Sequence, residues 1–532
     1  MTLTCKNIEI PAAEGANPDL RSILARYLDL DVGEISAVRL VKKSLDARKK
    51  RHIVYRLQLD FEAQDEVRLL QLMSSKVEKA PERTLGDPLE GIDLKNCRFS
   101  QQPVIVGSGP AGLFAALILA LAGKSAVILE RGEGLGKRLR AVNRLRQKGV
   151  FDPESHYCFG EGGAGTFSDG KLTCGRNHPM IRFIFHQLVA FGAPQSILYD
   201  CHPHVGTDNL LRVLANLRSF LADRGTQIRF GQRFEGFRYH SEKEGRFQLV
   251  TNGQETLSTN HLVLAIGHSA RDTYEILHQA KVAMIPKPFA IGARIEHPQK
   301  DIDQIQFGSC QLLPPAEYKL AARADGRGIW TFCMCPGGIL LPTSAQEGHL
   351  AINGMSYYAR NSGFANAAVV VNVLKEDFYR GHPLDGMFYQ SDLEKKAFVA
   401  GGGGYHSPAQ NLLDFVSGRP TKTAFDTTYQ PGVVSARMDK LLPPVVVEAL
   451  KSALTDYNRR MRGFLSDQAA IIGLESKTSA PVSFPRNEFL ESISHPGLYP
   501  TGEGAGFAGG IVSAALDGIR VGKALLRQAS LS

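Results

Sequence analysis

A chain of 532 residues with 43% hydrophobic and 22% charged residues is long enough for about two to four domains, and its composition excludes a fibrous or low-complexity protein. The net charge of +9 admits an anionic substrate or a nucleic-acid surface and specifies neither. The eight cysteines (Cys5, Cys97, Cys158, Cys174, Cys201, Cys310, Cys333 and Cys335) are scattered rather than spaced as a disulfide framework, and the start carries no apolar leader, so a reducing, cytoplasmic setting is expected.

The first stretch, 1–98, predicts an α+β accessory domain. Strands are expected over Asn7–Ile10, 36–45 and 51–61, with helices over Pro18–Leu28 and Asp65–Ser74 and a polar linker over 78–97. Basic residues cluster at Arg39, Lys42, Lys43, Arg48, Lys49, Lys50, Arg51 and Arg56, broken by Asp46. A solvated strand and turn accounts for them most simply. The alternative is a docking surface for an acidic partner, RNA or the anionic end of a cofactor. RNA recognition usually adds exposed aromatics, and only Tyr55 and Phe61 lie near.

Next comes "PVIVGSGPAGLFAALILALAGKSAVILERG", 103–132. A membrane span needs roughly 20 apolar residues, and the uninterrupted run here is only Leu113–Ala122. The glycines instead predict strand Val104–Val106, a tight turn, helix Ala111–Ala122 and strand Ala126–Leu129. In such a βαβ unit Gly107 allows the sharp turn, Gly109 lets the backbone approach a pyrophosphate, and Gly112 lets the helix lie close to the strand. Ser108, Pro110 and Ala111 complete the turn, whose helix N-terminus offers free N–H groups to phosphates. Glu130, eighteen positions after Gly112, is placed to accept hydrogen bonds from a ribose diol. Arg131 and Arg138 are assigned to the same cofactor site.

The loop "SHYCFGEGGAGTFSDGKLT", 155–173, suits backbone contact with a flat ring, through Gly163, Ala164, Gly165 and Thr166. A helix over Asp208–Leu221 and a strand over Gln227–Phe230 follow, then a strand ending at Ala265-Ile266-Gly267. The middle, 286–474, has no second GxGxxG followed by an acid; "AGGGGYH", Ala400–His406, lacks the strand–helix context. A nicotinamide donor, NAD(P)H, would therefore enter the substrate site itself; otherwise an organic substrate donates the hydride.

Candidate chemistry in the middle comes from several groups. Cys333 and Cys335, in one strand, point to one face and make either a redox pair or pocket-lining thiols. Two cysteines are too few for a metal site, and no other metal-ligand spacing is present. His204, His268, His297 and His406 are acid–base candidates. Arg294, Arg360, Lys477 and Arg486 are candidates for holding an anionic substrate. Lys171 and Arg294 come first as catalytic residues, beside Cys333 and Cys335. Finally, 498–526 again reads strand, glycine loop, helix, with the helix starting near Gly510.

The segments "GEGGAGTFSDGKLT", "HPHVGTDNLL", "AIGHSARDT", "FAIGARIEHPQ", "TFCMCPGG" and "YPTGEGAGFAGGIVSAALDGI" together resemble a poorly characterised family of FAD-dependent dehydrogenases of bacteria and plastids. The resemblance extends over most of the chain, "KKSLDARKK" included. It implies an α/β protein of the two-dinucleotide-binding-domain flavoprotein superfamily: a Rossmann-like FAD-binding domain (99–285 and 475–532), an inserted substrate domain (286–474) and the N-terminal α+β domain. It implies FAD as cofactor, with Gly502, Glu503, Gly509, Gly510 and Ile511 closing over it and the backbone of Arg233 and Phe234 at the adenine. One departure is "ESKTSAP", where Lys477 stands in place of an expected Arg, keeping the charge and losing bidentate geometry. The expected function is hydride transfer through the flavin to or from a small, anionic organic molecule. An RNA-modifying flavoenzyme and a flavin redox sensor are the alternatives, no membrane partner is expected, and oligomeric state is not specified.

Overall fold

Runs of three or four apolar residues that are buried on both faces belong in parallel sheets. Four such strands, with Gln227–Phe230 as a more exposed fifth at one edge, form a parallel sheet in the computed structural model, which describes residues 2–15, 18–175, 177–241, 244–309, 313–422 and 425–530. Cys310 lies outside them. Their order is Leu498–Pro500, Leu262–Leu264, Val104–Val106, Val127–Glu130, Gln227–Phe230, all parallel. The predicted βαβ unit is present, its helix running Pro110–Leu121.

That helix is buried around nearly its whole circumference. Much of its cover is the Ile511–Ala529 helix. Close approach is possible because a Cβ at Gly518 would lie 2.1 Å from the Ala111 carbonyl, and one at Gly522 would lie 2.9 Å from Ile118 Cβ. Two additions to the predicted elements are the Leu135–Lys148 helix and an antiparallel meander, Phe234–Tyr239, Phe247–Thr251 and Gln254–Thr259.

The middle of the chain builds a mixed seven-stranded sheet around Phe289–Pro298 and Phe364–Val373, which pair antiparallel over their full lengths. Arg327–Cys335 flanks this pair on one side and Ala470–Glu475 on the other, and the sheet's edges are Ala321–Ala324 and Val433–Ser435. A hairpin of Ile339–Pro342 and Ile352–Met355 hangs beneath it. The large core cluster, including Ile291, Val369, Ile471 and Tyr457, lies here.

The N-terminal sheet has four strands in the order Ile35–Asp46, Val54–Ala63, Leu3–Pro11, Val77–Lys79. The last falls where a linker is predicted, because one apolar side chain, Val77, is enough to close the small core. Lys43 N–H donates to the Tyr199 carbonyl at 2.8 Å and Cys201 N–H to the Lys43 carbonyl at 3.0 Å, which docks this sheet on the rest. Within the basic cluster, Arg39 pairs with Asp60, and Arg48 and Arg56 with Asp46, while Lys49, Lys50 and Arg51 are exposed on the turn. Tyr55 and Phe61 are buried, so the expectation of an RNA surface finds no aromatic stacking platform in this segment. No helix of the described residues is long and apolar enough to cross a membrane, and no group of metal-ligating side chains occurs among them.

Candidate cofactor and active site

A cleft of about 390 Å³ starts at the N-termini of the Pro110–Leu121 and Ile511–Ala529 helices and ends beneath the seven-stranded sheet. The three turn glycines have separable reasons to be glycine. At Gly107, φ is 103° and a Cβ would sit 2.3 Å from the Ala265 carbonyl; at Gly112 it would sit 2.1 Å from the Gly107 carbonyl. Both serve the protein's own packing. A Cβ at Gly109 meets nothing nearer than Gly163 Cα at 4.0 Å, so the space it would fill belongs to a ligand. Gly509 and Gly510, at the head of the second helix, are equally clear of protein atoms. Two helix termini with free N–H groups facing one cleft make a doubled anion site.

Glu130 lies in the wall and accepts from Ser108 N–H (2.9 Å), Ser108 Oγ (2.7 Å), Gly132 N–H (3.0 Å) and Gly160 N–H (2.9 Å). The acid expected at a ribose is therefore also the staple between the glycine turn and the neighbouring loop. Arg131 lines the cleft with its guanidinium 4.1 Å from the Phe159 ring centre, paired to Glu154 and Asp272. Arg233 and Phe234 are also in the wall, but the Arg233 N–H already donates to Asn252 Oδ1 at 3.0 Å.

Several expected cofactor contacts lie off the cleft. Arg138 is wholly buried behind the loop and spends all its N–H groups on the carbonyls of His156, Tyr157, Glu161 and Gly163 and on Thr166 Oγ1. It shapes the loop and has no donor left for a phosphate. Burial is the largest cause that lowers its pKa, to about 10. Thr166 is held in that same network, and Ser108 is turned to Glu130. Gly502 is packed on Ala111, and its N–H donates to Asp517 at 2.8 Å. Gly163, Ala164, Gly165, Ala265, Gly267, Glu503 and Ile511 do line the cleft, with Pro110 and Ala111.

At the far end stand Lys171, Cys333, Asn353, Lys477 and His268. Lys171 Nζ donates to the Met334 carbonyl and lies 3.6 Å from Asp169. Arg294 is a correction: it is fully buried beneath the cleft, donating to Glu475 at 2.9 Å and to the Cys333 carbonyl at 2.8 Å. Arg360 is held by Asp169 and Arg486 by Asp517, so neither is free to clamp a substrate. Lys477 Nζ has only Cys158 Sγ at 3.5 Å and Ser269 Oγ at 3.4 Å, with no carboxylate within ion-pair distance among the described residues. Of the histidines, His297 is buried against the Phe464 carbonyl, His204 stacks on Tyr358, and His406 sits on an exposed turn. His268 alone of the four lines the cleft; its Nδ1 lies 3.4 Å from Glu503 and its Nε2 is buried without a partner. Cys335 is buried and outside the cleft, a correction to the same-face expectation, because the strand bulges between Phe332 and Cys335. Asn353 and Thr343 carry no motif that sequence reasoning could have found; Thr343 Oγ1 is another buried atom without a partner.

Comparisons with known proteins agree with this geometry. Residues 101–277 match an FAD binding domain, and 288–478 match the family "FAD-dependent protein, C-terminal domain-like". Residues 6–62 match a domain of unknown function. An uncharacterised protein of Clostridium beijerinckii is 39% identical over 538 residues, covering 100% of both chains. Among solved structures, FqzB is similar at 13% identity over 80% of this chain and 75% of its own, with a TM-score of 0.35. OTEMO in complex with FAD and NADP is similar at 17% identity over 32% of this chain and 26% of its own, with a TM-score of 0.21. The matched FAD binding domain contains the glycine turn and Glu130, and the cradle at Gly109, Gly509 and Gly510 fits a dinucleotide. The cofactor is FAD.

Proposed function

This chain belongs to the protein family of its Clostridium beijerinckii relative, and on that premise we propose that it is an FAD-dependent dehydrogenase or reductase acting on a small, anionic organic molecule. When bound, FAD supplies the two-electron hydride chemistry. The chain supplies position and charge. The N–H groups at the heads of the Pro110–Leu121 and Ile511–Ala529 helices would hold the anionic part of the cofactor, and the Gly163–Gly165 backbone would support its ring. Lys477 holds the anionic group of the substrate, whereas Lys171 is already paired with Asp169 and Glu317; His268 Nε2, backed by Glu503, holds or moves a proton.

The observation that carries the anionic substrate is Lys477. It is a cation with 8% exposure in the cleft wall that lacks the carboxylate that Arg294, Arg360 and Arg486 each have. Glu394, a carboxylate that feels the Lys477 charge, is beyond ion-pair distance and already bound to Arg271, so a substrate anion in the cleft supplies the direct partner that Lys477 lacks. Lys477→Met is therefore expected to leave flavin content unchanged. It should weaken the best of a panel of small carboxylates, titrated against the flavin spectrum, by about 10- to 100-fold, the worth of one charge-assisted bond. Equal affinities in both proteins would remove the anionic reading.

The reaction class is tested by anaerobic visible spectroscopy during addition of NADPH and then NADH. Rapid bleaching by one nicotinamide makes the protein a reductase whose substrate compartment admits the nicotinamide. Bands that persist assign the hydride to an organic donor. No flavin bands after reconstitution with FAD would overturn the proposal.

A further inference from the structure

The Arg327–Cys335 strand ends in a bulge: Phe332 faces Ala368 and Cys335 faces Asn366, leaving one residue too many on the cysteine strand. Cys333 takes φ 45°, a left-handed conformation that non-glycine residues rarely adopt. Strain of this kind gathers at functional sites. Here Arg294 holds it: its Nη1 donates to the Cys333 carbonyl at 2.8 Å while its Nη2 is anchored on the side chain of Asn353. The bulge turns Cys333 into the cleft wall and leaves Cys335 fully buried behind it.

The two thiols are electrostatically unlike. A hydrogen bond from Cys335 lowers the Cys333 pKa against the cost of burial, and Arg294 and Lys171 lower it further, with Asp169 opposing. The same hydrogen bond and burial raise Cys335. A more acidic thiol in the cleft wall with a less acidic thiol buried behind it is the arrangement of an attacking and a resolving cysteine.

We propose that Cys333 and Cys335 form a thiol–disulfide exchange site whose substrates are small, carboxylate-bearing disulfides admitted to the cleft. Cys333 thiolate attacks one sulfur of the substrate, whose S–S bond breaks and releases a first thiolate that takes a proton from solvent. Cys335 then attacks Cys333 Sγ in the mixed disulfide, giving up its proton to the second departing thiol. The substrate gains two electrons, and the two cysteines lose them in forming one intramolecular bond. Lys477, in the cleft wall with no carboxylate within ion-pair distance among the described residues, supplies the charge that draws a carboxylate-bearing disulfide into the cleft. None of these steps needs the flavin, so the proposal stands apart from the reading above.

The test uses the full flavoprotein, reduced, freed of reductant, exposed to glutathione disulfide and quenched with N-ethylmaleimide before peptide mass analysis. In the wild type, the peptide holding both cysteines should lose two hydrogens and take no maleimide, while the other cysteines stay labelled. Cys335→Ser should stop at a stable glutathione adduct on Cys333, and Cys333→Ser should leave Cys335 unmodified. Wild-type protein in which both cysteines still take maleimide would overturn the proposal. So would oxidation spread evenly over all the cysteines. Flavin content is scored separately, so failure here leaves the FAD reading untouched.

Discussion

Gly109→Val is expected to strip the protein of FAD while leaving its fold intact. Gly109 has φ −74° and ψ 179°, an extended conformation that valine adopts without strain. No protein atom lies closer than 4.0 Å to the new Cβ. The side chain therefore enters only the space that the pyrophosphate uses, and retention should fall at least about 100-fold, or roughly 3 kcal/mol of binding. Gly112→Ala makes the opposite prediction. Its Cβ would lie 2.1 Å from the Gly107 carbonyl and 3.1 Å from Ile105 Cγ2, so the helix must move off the strand. That overpacking costs about 1–3 kcal/mol of stability. Flavin absorbance after desalting and the unfolding midpoint of the apoprotein read the two effects separately. Retention of FAD by Gly109→Val would mean that the phosphates lie elsewhere.

The second large effect is expected at Glu475. Its Oε2 accepts a hydrogen bond from Arg294 Nε–H at 2.9 Å, and both residues are fully buried. Burial disfavours the Arg294 charge, and Glu475 with the two nearby sulfurs more than reverses this, so its pKa is raised. Glu475→Leu leaves a guanidinium in the interior with only neutral partners, the Asn353 and Asn366 side chains and the Cys333 carbonyl. Removing one partner of such a pair costs about 3–5 kcal/mol. The double variant with Arg294→Met should recover much of that loss, because both charges are then gone. Urea unfolding of the three proteins measures it. A single variant as stable as the wild type would show that Arg294 draws its compensation from elsewhere.

The parts legible in the sequence were those written in local spacing. The βαβ unit was readable because two apolar runs flank a glycine turn, and the far glycine loop because it repeats that pattern before a second helix. What stayed hidden depended on partners far along the chain. Nothing in the local sequence separates Arg138 and Arg294 from Lys477 as cations already paired or free. Arg294 meets Glu475 across 181 positions, and Arg138 meets five acceptors of a loop 18 to 28 positions on. Lys477 has no carboxylate within ion-pair distance among the described residues. Strand alternation also failed at Cys333, since a bulge adds one residue without any marker at the site. The strand Val77–Lys79 was lost to a similar cause, a single apolar side chain inside a polar stretch.

The order of strands in the nucleotide sheet has a consequence for biosynthesis. Leu262–Leu264 lies between Val104–Val106 and Leu498–Pro500, and the all-apolar Pro110–Leu121 helix is covered by Ile511–Ala529. On the ribosome, that edge and that helix stay bare until the whole seven-stranded sheet has been translated. A nascent chain in this interval exposes a hydrophobic helix and an open strand edge together, the two features that recruit chaperones and seed aggregation. Half of the cofactor cradle arrives with the last helix, so the complete cradle exists only once that helix has been made.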